Sequence, residues 1–365
     1  MIFLYTGRLS EDPKSGSAVR PVKMLEAFKE IGYEVAEITG YSADRARGYA
    51  KVRRSIREGK TYDFCYIETT TMPMALGDPG HLPLRPLVDI RFLKICRDSK
   101  IPLFLFYRDV YWNFPTYGKK LGRLKKLAAI FFYKMELYAF YNLLSRLYLP
   151  TKLMGEYLPN CPEKIVGELP PGCSIIKDGL LSNDPRLRLL YVGGVIAPTY
   201  DIRDSLDIVS TEREISLTII CRENEREYIE NQIAAIRNVI IEHKTAKELE
   251  LHYKNASIVM VFNRPTEYLS FAMPIKLFEA IGYGVPVLAR EGTAAGDFVA
   301  RERVGWVASG PEEARAILRR LAGNPGELEA MRRKVREAAP RHSWAERARQ
   351  VARDAERIRS GRKSC

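Results

Sequence analysis

The sequence predicts an α/β protein built from two Rossmann-like domains that face a cleft, and three observations lead to this prediction. The chain has 365 residues, which is too long for one ordinary domain and suits two. Short β-rich runs alternate with amphipathic helical segments in both halves, as in parallel sheets covered by helices. A stretch rich in Pro and Gly, at about residues 159–185, separates the two halves.

The first half contains four runs with the composition of buried strands, and helical periodicity lies between them. The predicted strands cover residues 2–6, 34–38, 64–68 and 102–107, and the helices cover about 18–31, 45–58 and 86–99. Gly32 follows the first of these helices and supplies its C-terminal stop. The order of these elements predicts a βαβ series.

The second half contains five further strand-like runs: LRLLYVGG, EISLTIIC, NVIIEH, SIVMVF and VPVLA. We therefore predict an N-terminal domain over residues 1–165 and a C-terminal domain over residues 166–340. Residues 341–365 are predicted to form a helix and a basic tail that pack back toward the N-terminal domain.

The net charge of +13 favours contact with an anionic partner such as a nucleotide diphosphate, an anionic lipid surface or nucleic acid. In residues 332–363 arginines alternate with Glu and Ala, and we interpret this stretch as a solvated helix face. The six cysteines form no C-x-x-C pair and do not cluster with the four histidines, so neither zinc nor a disulfide framework is predicted. The N-terminus lacks a signal-peptide pattern and no run is long enough to span a membrane, so we expect a cytoplasmic protein.

The segment of residues 119–143 combines basic residues with aromatic and aliphatic ones. The apolar residues near one helical stripe are Leu121, Leu124, Ala128, Phe131, Met135 and Tyr138, and the basic residues at one end are Lys119, Lys120, Arg123 and Lys126. One interpretation is a peripheral contact with the anionic inner face of the cytoplasmic membrane. The other is a buried helix of the N-terminal domain with a basic end.

The segment AMPIKLFEAIGYGVPVLAREGTAAGDF predicts a helix, a tight glycine turn and a buried strand. Pro274 suits the first turn of this helix. Lys276 lies near the positive end of the helix dipole, where a cation is disfavoured unless an anion such as a diphosphate binds there. Glu279 lies one turn further on the same side, where a carboxylate can accept hydrogen bonds from ribose hydroxyls. The alternative is a simple ion pair between Lys276 and Glu279.

This segment resembles the donor-binding signature of GT-B glycosyltransferases, which reads P-x-K-x-x-E, a small-residue turn and then G-x-P-V. YVGGV, RLYLPTKLM and RHSWAERA resemble the first donor-domain strand with its glycine loop, the last N-domain strand and the closing helix of that family. The resemblance implies that Lys276 contacts the donor phosphates and Glu279 the nucleotide ribose. It also places Met273, in the same segment, among the donor-binding residues.

One position departs from the pattern of the large retaining group with this fold. That group carries two glutamates in the segment, and the first handles the donor sugar near the reaction centre. Here Phe271 stands at the first position, as in variant bacterial and archaeal polysaccharide and glycolipid transferases. The sequence therefore does not predict whether the anomeric configuration is retained or inverted.

The loop after the strand IPLFLFY carries Arg108 and Asp109 at the place where the family has an acceptor-side catalytic or orienting residue. At the carboxyl end of a parallel strand, Asp109 is a candidate general base for an acceptor hydroxyl in an inverting reaction. The alternative is that Arg108 and Asp109 pair with each other and brace the loop.

Two glycine loops are candidate phosphate contacts, because glycine lets backbone N–H groups approach a ligand. Gly16 and Ser17 lie in the loop before the first helix, with Arg20 behind them, and Gly194 follows the first strand of the second half. Arg222, just past the strand LTIIC, is a further candidate for the diphosphate, although a solvent-facing arginine is the common case. The loop at Gly16 lacks G-x-G-x-x-G, which argues against a nicotinamide enzyme.

These features together predict a glycosyltransferase that moves a sugar from a nucleotide-diphosphate sugar to a hydroxyl of a lipid-linked saccharide or another glycoconjugate or polysaccharide precursor. The absence of a D-x-D motif in a suitable loop predicts activity without a metal or other cofactor. The alternatives are a sugar-nucleotide epimerase on the same fold and a non-catalytic basic protein that binds membranes or nucleic acid. We predict no nucleic-acid partner for the enzyme.

Overall fold

The computed structural model describes residues 1–10, 16–119, 121–176, 186–212, 214–234, 236–244 and 246–361. The chain forms two compact units, one made of Met1–Pro170 with Arg347–Cys365 and the other of Pro171–Glu346. The boundaries predicted from the sequence, at 165/166 and 340/341, lie a few residues before these points. Of the predicted linker at 159–185, residues 177–185 lie outside the described part of the chain.

The first unit contains six strands: β1 (Ile2–Tyr5), β2 (Ala36–Ile38), β3 (Cys65–Glu68), β4 (Leu103–Phe106), β5 (Arg146–Leu149) and β6 (Val166–Glu168). They form one sheet in the order β2-β1-β3-β4-β5-β6, and every neighbouring pair runs parallel. The connecting helices are α1 (Gly16–Glu30), α2 (Ser42–Arg57), α3 (Val88–Asp98) and α4 (Arg123–Leu143). The order reverses between β1 and β3, and in parallel sheets a ligand binds beside the carboxyl ends of the strands at such a point.

The second unit also contains six strands: β7 (Leu187–Val192), β8 (Ile215–Ile220), β9 (Val239–Glu242), β10 (Ile258–Val261), β11 (Val287–Arg290) and β12 (Gly305–Ala308). They form a parallel sheet in the order β12-β11-β10-β7-β8-β9, which is the Rossmann order. Its helices are α5 (Arg203–Ser210), α6 (Arg226–Ile233), α7 (Ala246–Asn255), α8 (Ile275–Gly282), α9 (Ala294–Glu302), α10 (Pro311–Gly323) and α11 (Pro325–Ala338). Here the order reverses between β7 and β10.

Aromatic side chains hold α1 against the sheet of the first unit. The ring of Phe28 on α1 lies 5.1 Å from the ring of Tyr66 and 5.7 Å from that of Phe64, and all three are buried. Rings at these distances contribute beyond the apolar area that they bury. This packing fixes α1 across β1 and β3, next to the reversal point of the sheet.

The last helix, α12 (Trp344–Arg359), begins in the second unit and continues in the first from Arg347 onward. The buried hydroxyl of Tyr148 on β5 donates a hydrogen bond of 2.6 Å to the Asp354 carboxylate, and the Gln350 amide donates one of 2.7 Å to the Glu168 carbonyl. Polar contacts therefore tie α12 to the strands β5 and β6.

Arg45 on α2 is fully buried and connects three loops at the carboxyl edge of the first sheet. Its guanidinium forms two hydrogen bonds of 2.7 Å with the carboxylate of Asp89 on α3. It also donates to the carbonyls of Thr6, Gly40 and Met74, which follow β1, β2 and β3. The bidentate pair satisfies both buried charges, and the remaining N–H groups hold the loops in place.

Two strands were missed from the sequence, and both lie at sheet edges. The three-residue β6 contains Gly167 and falls in a stretch that we interpreted as linker, whereas the four-residue β12 begins with Gly305. Short edge strands with glycine carry too little periodicity to identify them. The Cβ of any other residue at 305 would lie 1.8 Å from the carbonyl oxygen of Val287, so close contact with β11 explains this glycine.

We expect the substitution Arg45→Met to destabilise the first unit by about 3–5 kcal/mol, because it leaves the buried Asp89 carboxylate without its cation. Chemical denaturation followed by circular dichroism measures the change. Arg47→Met is the matched control on the same helix: the Arg47 side chain is 72% exposed, and the loss should stay within about 0.5 kcal/mol. Equal effects of the two substitutions would contradict the role of Arg45.

Candidate active site

The candidate donor site lies at the carboxyl edge of the second sheet, where the strand order reverses. β10 ends at Val261, and after a loop the chain enters α8, whose N-terminus therefore lies at this edge. Pro274 is the N-cap of α8, and the helix begins at Ile275, one residue later than the sequence suggested. Lys276 and Glu279 are thus in the first and second turns of the helix.

Lys276 and Glu279 contact each other directly. The Lys276 ammonium lies 2.8 and 3.0 Å from the two carboxylate oxygens of Glu279, and each side chain is about one quarter exposed. The intrahelical ion pair, which the sequence left open as the alternative, is therefore present in the structure. A ligand that reaches this edge meets a cation and a carboxylate side by side.

Tyr253 on α7 was not identified from the sequence, yet it holds Glu279 in place. Its buried hydroxyl donates a hydrogen bond of 2.8 Å to Oε2 of Glu279. The Tyr253 ring stacks on that of Tyr283, with centroids 4.8 Å apart and planes 5° apart. This contact joins residues far apart in the sequence, so no local pattern indicates it.

Met273 and Phe271 precede α8 and differ in their environment. Met273 is partly buried and packs against the core under α8, so its place among donor-binding residues stays a prediction. Phe271 is buried against Tyr268, with ring centroids 5.3 Å apart. A packing residue therefore occupies the position where the retaining group has its first glutamate.

The glycine loop after β7 is held by side chains on both sides of the reversal point. The Tyr191 hydroxyl donates to the carbonyl of Gly194 at 2.5 Å and accepts from the amide of Asn263, which follows β10, at 3.1 Å. A Cβ at Gly194 would lie 2.8 Å from the ring of Tyr200. Glycine at this position therefore permits close packing, whereas its contact with a donor stays a prediction.

Arg222 pairs with a carboxylate in the structure. Its guanidinium donates to Glu225 at 2.7 Å, while the other oxygen of the buried Glu225 accepts from the backbone N–H of Val195 at 3.0 Å. Glu225 thus fixes the loop after β7 and holds Arg222 beside it. The Arg222 side chain is 68% exposed, so a diphosphate contact remains a prediction.

In the first unit, charged residues meet at the carboxyl ends of β3 and β4. The fully buried Glu68 accepts hydrogen bonds from Arg20 at 3.0 Å and from the Tyr66 hydroxyl at 2.6 Å. Arg108 lies 3.8 Å from the other oxygen of Glu68, and burial lowers the pKa of Arg108 while this carboxylate opposes the shift. Arg108 therefore contributes positive charge close to the reversal point of the sheet.

Asp109 stabilises the loop after β4, because its Oδ1 accepts a hydrogen bond of 2.9 Å from the backbone N–H of Tyr111. Trp112 in the same loop is a core residue: it is 3% exposed, stacks on Tyr133 at 4.8 Å and donates to the Tyr107 hydroxyl. A catalytic role of Asp109 or Arg108 stays a prediction. Gly16 is the first residue of α1, and the loop residues 11–15 before it lie outside the described part of the chain.

Glu136 on α4 lies beneath the loop that follows β3. Its carboxylate accepts a hydrogen bond of 2.9 Å from the backbone N–H of Ala75. Burial raises the pKa of Glu136 to about 8, while hydrogen bonds from the backbone of Ala75 and Met74 oppose the shift. Glu136 and Asp109 line the same narrow crevice under residues 69–73. A protonatable group therefore supports the loop beside the candidate base.

The histidines hydrogen-bond or pair with groups outside the Lys276–Glu279 pair. The contacts are His81 with the Leu76 carbonyl, His243 with the Cys221 carbonyl, His252 with Glu242 and His342 with Glu302. Within the described residues, no three His, Cys, Asp or Glu side chains form a group that would hold a metal ion. Metal-independent activity stays a prediction.

The outer face of α4 is apolar and exposed. Leu124, Leu127, Phe131 and Tyr138 are 84%, 64%, 61% and 74% exposed, and Leu121, just before the helix, is 43% exposed. The opposite face is buried, through residues such as Ala129, Leu137 and Phe140. Among the helices described, α4 included, none has the length and apolar character needed to cross a bilayer.

Comparison with known proteins supports the predicted fold. Residues 205–353 match a family described as glycosyl transferase-like. The Anabaena protein HepE, crystallised with UDP-glucose, is 12% identical, with 98% of this chain and 99% of that chain covered and a TM-score of 0.64. No curated protein matches the sequence.

Two further solved structures have the same architecture. WaaG, a glycosyltransferase involved in lipopolysaccharide biosynthesis, is 16% identical, with 96% of this chain and 98% of that chain covered and a TM-score of 0.58. An α-glucosyltransferase in complex with UDP and a 13-mer DNA is 12% identical, with 97% and 98% covered and a TM-score of 0.64. The predicted fold class, two Rossmann-like domains of the GT-B type, is confirmed.

The raised pKa of Glu136 predicts how stability depends on pH. Between pH 4.5 and about 8 the folded chain keeps this proton while the unfolded chain loses it, so stability falls as the pH rises. Glu136→Gln does not titrate. We expect the melting temperature of this variant, relative to wild type, to increase steadily from pH 5 to pH 8. The exposed Glu26→Gln is the control, and a pH-independent difference for Glu136→Gln would contradict the prediction.

Proposed function

We propose that the chain, which has the GT-B fold, is a glycosyltransferase that transfers a sugar from a nucleotide-diphosphate sugar to a hydroxyl of a lipid-linked saccharide or another glycoconjugate or polysaccharide precursor. The observation that carries this proposal is the pair of Lys276 and Glu279 in the first turns of α8, at the carboxyl edge of a Rossmann sheet. This helix also lies within the residues that match the glycosyl transferase-like family.

The ion pair explains how one helix can bind both parts of a nucleotide diphosphate. Lys276 is disfavoured at the positive end of α8, and its pairing with Glu279 balances this charge. An incoming diphosphate offers the ammonium a second anion, and the free N–H groups of the first turn of α8 can donate to the same phosphates. Glu279, held by Tyr253, then accepts hydrogen bonds from the ribose hydroxyls. Positive groups at the diphosphate stabilise the charge of the leaving group.

The solved structures of similar fold suggest where to begin with donors and acceptors. HepE was crystallised with UDP-glucose and the α-glucosyltransferase with UDP, so UDP-sugars are the first donors to test. WaaG takes part in lipopolysaccharide biosynthesis, which favours a lipid-linked saccharide as the acceptor. The α-glucosyltransferase was crystallised with a 13-mer DNA, so a protein of similar fold also binds nucleic acid.

We propose that the exposed face of α4 binds the enzyme to the cytoplasmic face of a membrane. Its apolar residues Leu124, Leu127 and Phe131 can enter the headgroup region. Basic residues accompany them on and just before the helix: Lys119, Arg123, Lys125, Lys126 and Lys134. Each basic residue near an anionic surface contributes about 1 kcal/mol to binding. A membrane location suits a lipid-linked acceptor.

Two other functions make different predictions. An epimerase needs several acid–base groups at the sugar carbons. The four histidines instead contact groups other than Lys276 and Glu279.

A basic protein without catalysis would release no nucleotide from a sugar donor. A transferase releases nucleoside diphosphate only when an acceptor hydroxyl or water takes the sugar.

The donor proposal predicts that one nucleoside diphosphate or its sugar raises the melting temperature, through linkage between binding and folding. UDP-, GDP-, dTDP- and ADP-sugars form the panel for a thermal-shift assay. Glu279→Ala should weaken the binding of the successful nucleotide at least tenfold while the unliganded protein stays folded. Glu227→Ala removes an exposed carboxylate from α6 and should leave the affinity for that nucleotide unchanged. The absence of a shift with every nucleotide would contradict the proposal.

The acceptor proposal predicts a catalytic defect for Asp109→Asn. If Asp109 takes the proton of the acceptor hydroxyl, kcat should fall by about 10²–10⁴-fold, while the thermal shift caused by the donor persists. Release of nucleoside diphosphate in the presence of acceptor measures kcat. Asp98→Asn, at an exposed carboxylate in the last turn of α3, is the control. A change in kcat below threefold would exclude Asp109 as the base.

The membrane proposal predicts co-sedimentation with vesicles that contain phosphatidylglycerol, and little with pure phosphatidylcholine. Leu124→Ser with Phe131→Ser should abolish most of this binding, because two exposed apolar side chains are lost from α4. Ile240→Ser with Leu251→Ser removes two similarly exposed apolar side chains from the second unit and serves as the control. Equal loss in both double variants would contradict a role specific to α4.

A further inference from the structure

A cavity of about 350 Å³ lies in the first unit, apart from the residues proposed for the donor and the acceptor. Its walls come from β5, β6, the turn after β5 and the helix α12. Arg353 and Arg357 of α12 are among the lining residues. They belong to the arginine-rich stretch that the sequence led us to interpret as a solvated helix face. Both side chains are exposed, as that interpretation predicts, and they also line a concave site.

The walls of this cavity are held in place by hydrogen bonds. Tyr148 is fully buried and donates to Asp354 at 2.6 Å, and the Gln350 amide donates to the Glu168 carbonyl at 2.7 Å. A Cβ at position 167 would lie 2.9 Å from the Arg146 side chain, so Gly167 allows Arg146 to lie across the strand. The cavity is therefore built from ordered elements and not from side chains in a loop.

Positive charge is in excess around the cavity. Of the described residues that line it, Arg146, Lys152, Arg353 and Arg357 are cations, and Glu168 and Asp354 are the carboxylates. The Asp354 carboxylate also accepts from Tyr148 and lies 3.5 Å from Arg146 and 3.6 Å from Arg357. The charge of this carboxylate is thus shared among several donors, and Arg353 and Arg357 lie one helical turn apart on α12.

We propose that this cavity is a binding site for a small phosphate monoester, separate from the donor site. Arginine binds phosphate through paired N–H donors, and three of the four lining cations are arginines. The lining is mainly polar, with Val166 as its aliphatic member, and the Tyr148 ring is buried within the core. A lipid chain or a nucleobase would therefore find little apolar or aromatic surface, whereas the phosphate of a phosphorylated sugar or polyol fits the cations.

A ligand in this cavity would contact two parts of the chain far apart in sequence. Arg146 and Lys152 precede the second unit, whereas Arg353 and Arg357 follow it. A phosphate bound in the cavity would bridge β5 and α12, because its oxygens can accept hydrogen bonds from arginines on both elements. It therefore stabilises the position of α12 on the first sheet, which links occupancy to the stability of the folded chain.

The test is a titration of the full chain with sodium phosphate and with glucose 6-phosphate, each compared with sodium chloride at the same ionic strength. Calorimetry gives the dissociation constant, and thermal shift gives the effect on stability. We expect both probes to raise the melting temperature beyond the chloride control. Tighter binding of glucose 6-phosphate than of phosphate identifies a phosphorylated sugar as the ligand class, and equal binding identifies free phosphate.

Arg353→Gln with Arg357→Gln should weaken binding of both probes at least tenfold. Arg333→Gln with Lys334→Gln removes two exposed cations from α11 and should leave binding unchanged. Lys152→Glu changes an exposed residue of the cavity and leaves α12 unaltered, so it should also weaken binding of both probes. This variant replaces the double arginine variant as the test if the latter does not fold. Binding equal to wild type in the Lys152→Glu and double arginine variants, or no shift beyond that of chloride, would overturn the proposal.

Discussion

Every strand pair in both sheets runs parallel, and this constraint places the carboxyl ends of all strands at one edge of each sheet. Loops that are distant in sequence therefore meet there, and their polar backbone groups need partners. In the first unit Arg45 supplies these partners, since it contacts the loops after β1, β2 and β3 while Asp89 neutralises its charge. In the second unit Tyr191 and Glu225 have the corresponding role around the glycine loop.

The ion pair between Lys276 and Glu279 is compatible both with a structural role and with the proposed role in donor binding. The two side chains form the ion pair that a surface helix would show, with Tyr253 as a third partner. The same pair keeps the carboxylate in a fixed position and keeps the ammonium at the end of the helix where an anion is favoured. The charged groups of the proposed donor site are thus held in place by contacts within the second unit.

The sequence was sufficient to predict the alternation of strands and helices, since buried parallel strands such as LFLF of β4 and IVMV of β10 are continuous apolar runs. It also predicted that Lys276 and Glu279 lie one turn apart on one helix, and this placement is confirmed. It did not identify Tyr253, Arg45 or Glu225, because each of them also has a partner far away along the chain. Trp112 shows the same limit, since only the fold places Tyr133 against its indole ring.

The path of α12 has a consequence for the order in which the chain can be completed during synthesis. The second unit is one continuous segment, Pro171–Glu346, whereas the first needs residues from both sides of it. As the chain leaves the ribosome, every residue of the second unit is available before Asp354 can cover the hydroxyl of Tyr148. The N-terminal part of the first unit is therefore synthesised before the second unit, but the first unit can fold completely only after it. Until α12 is synthesised, the strands β5 and β6 lack the helix that packs on them.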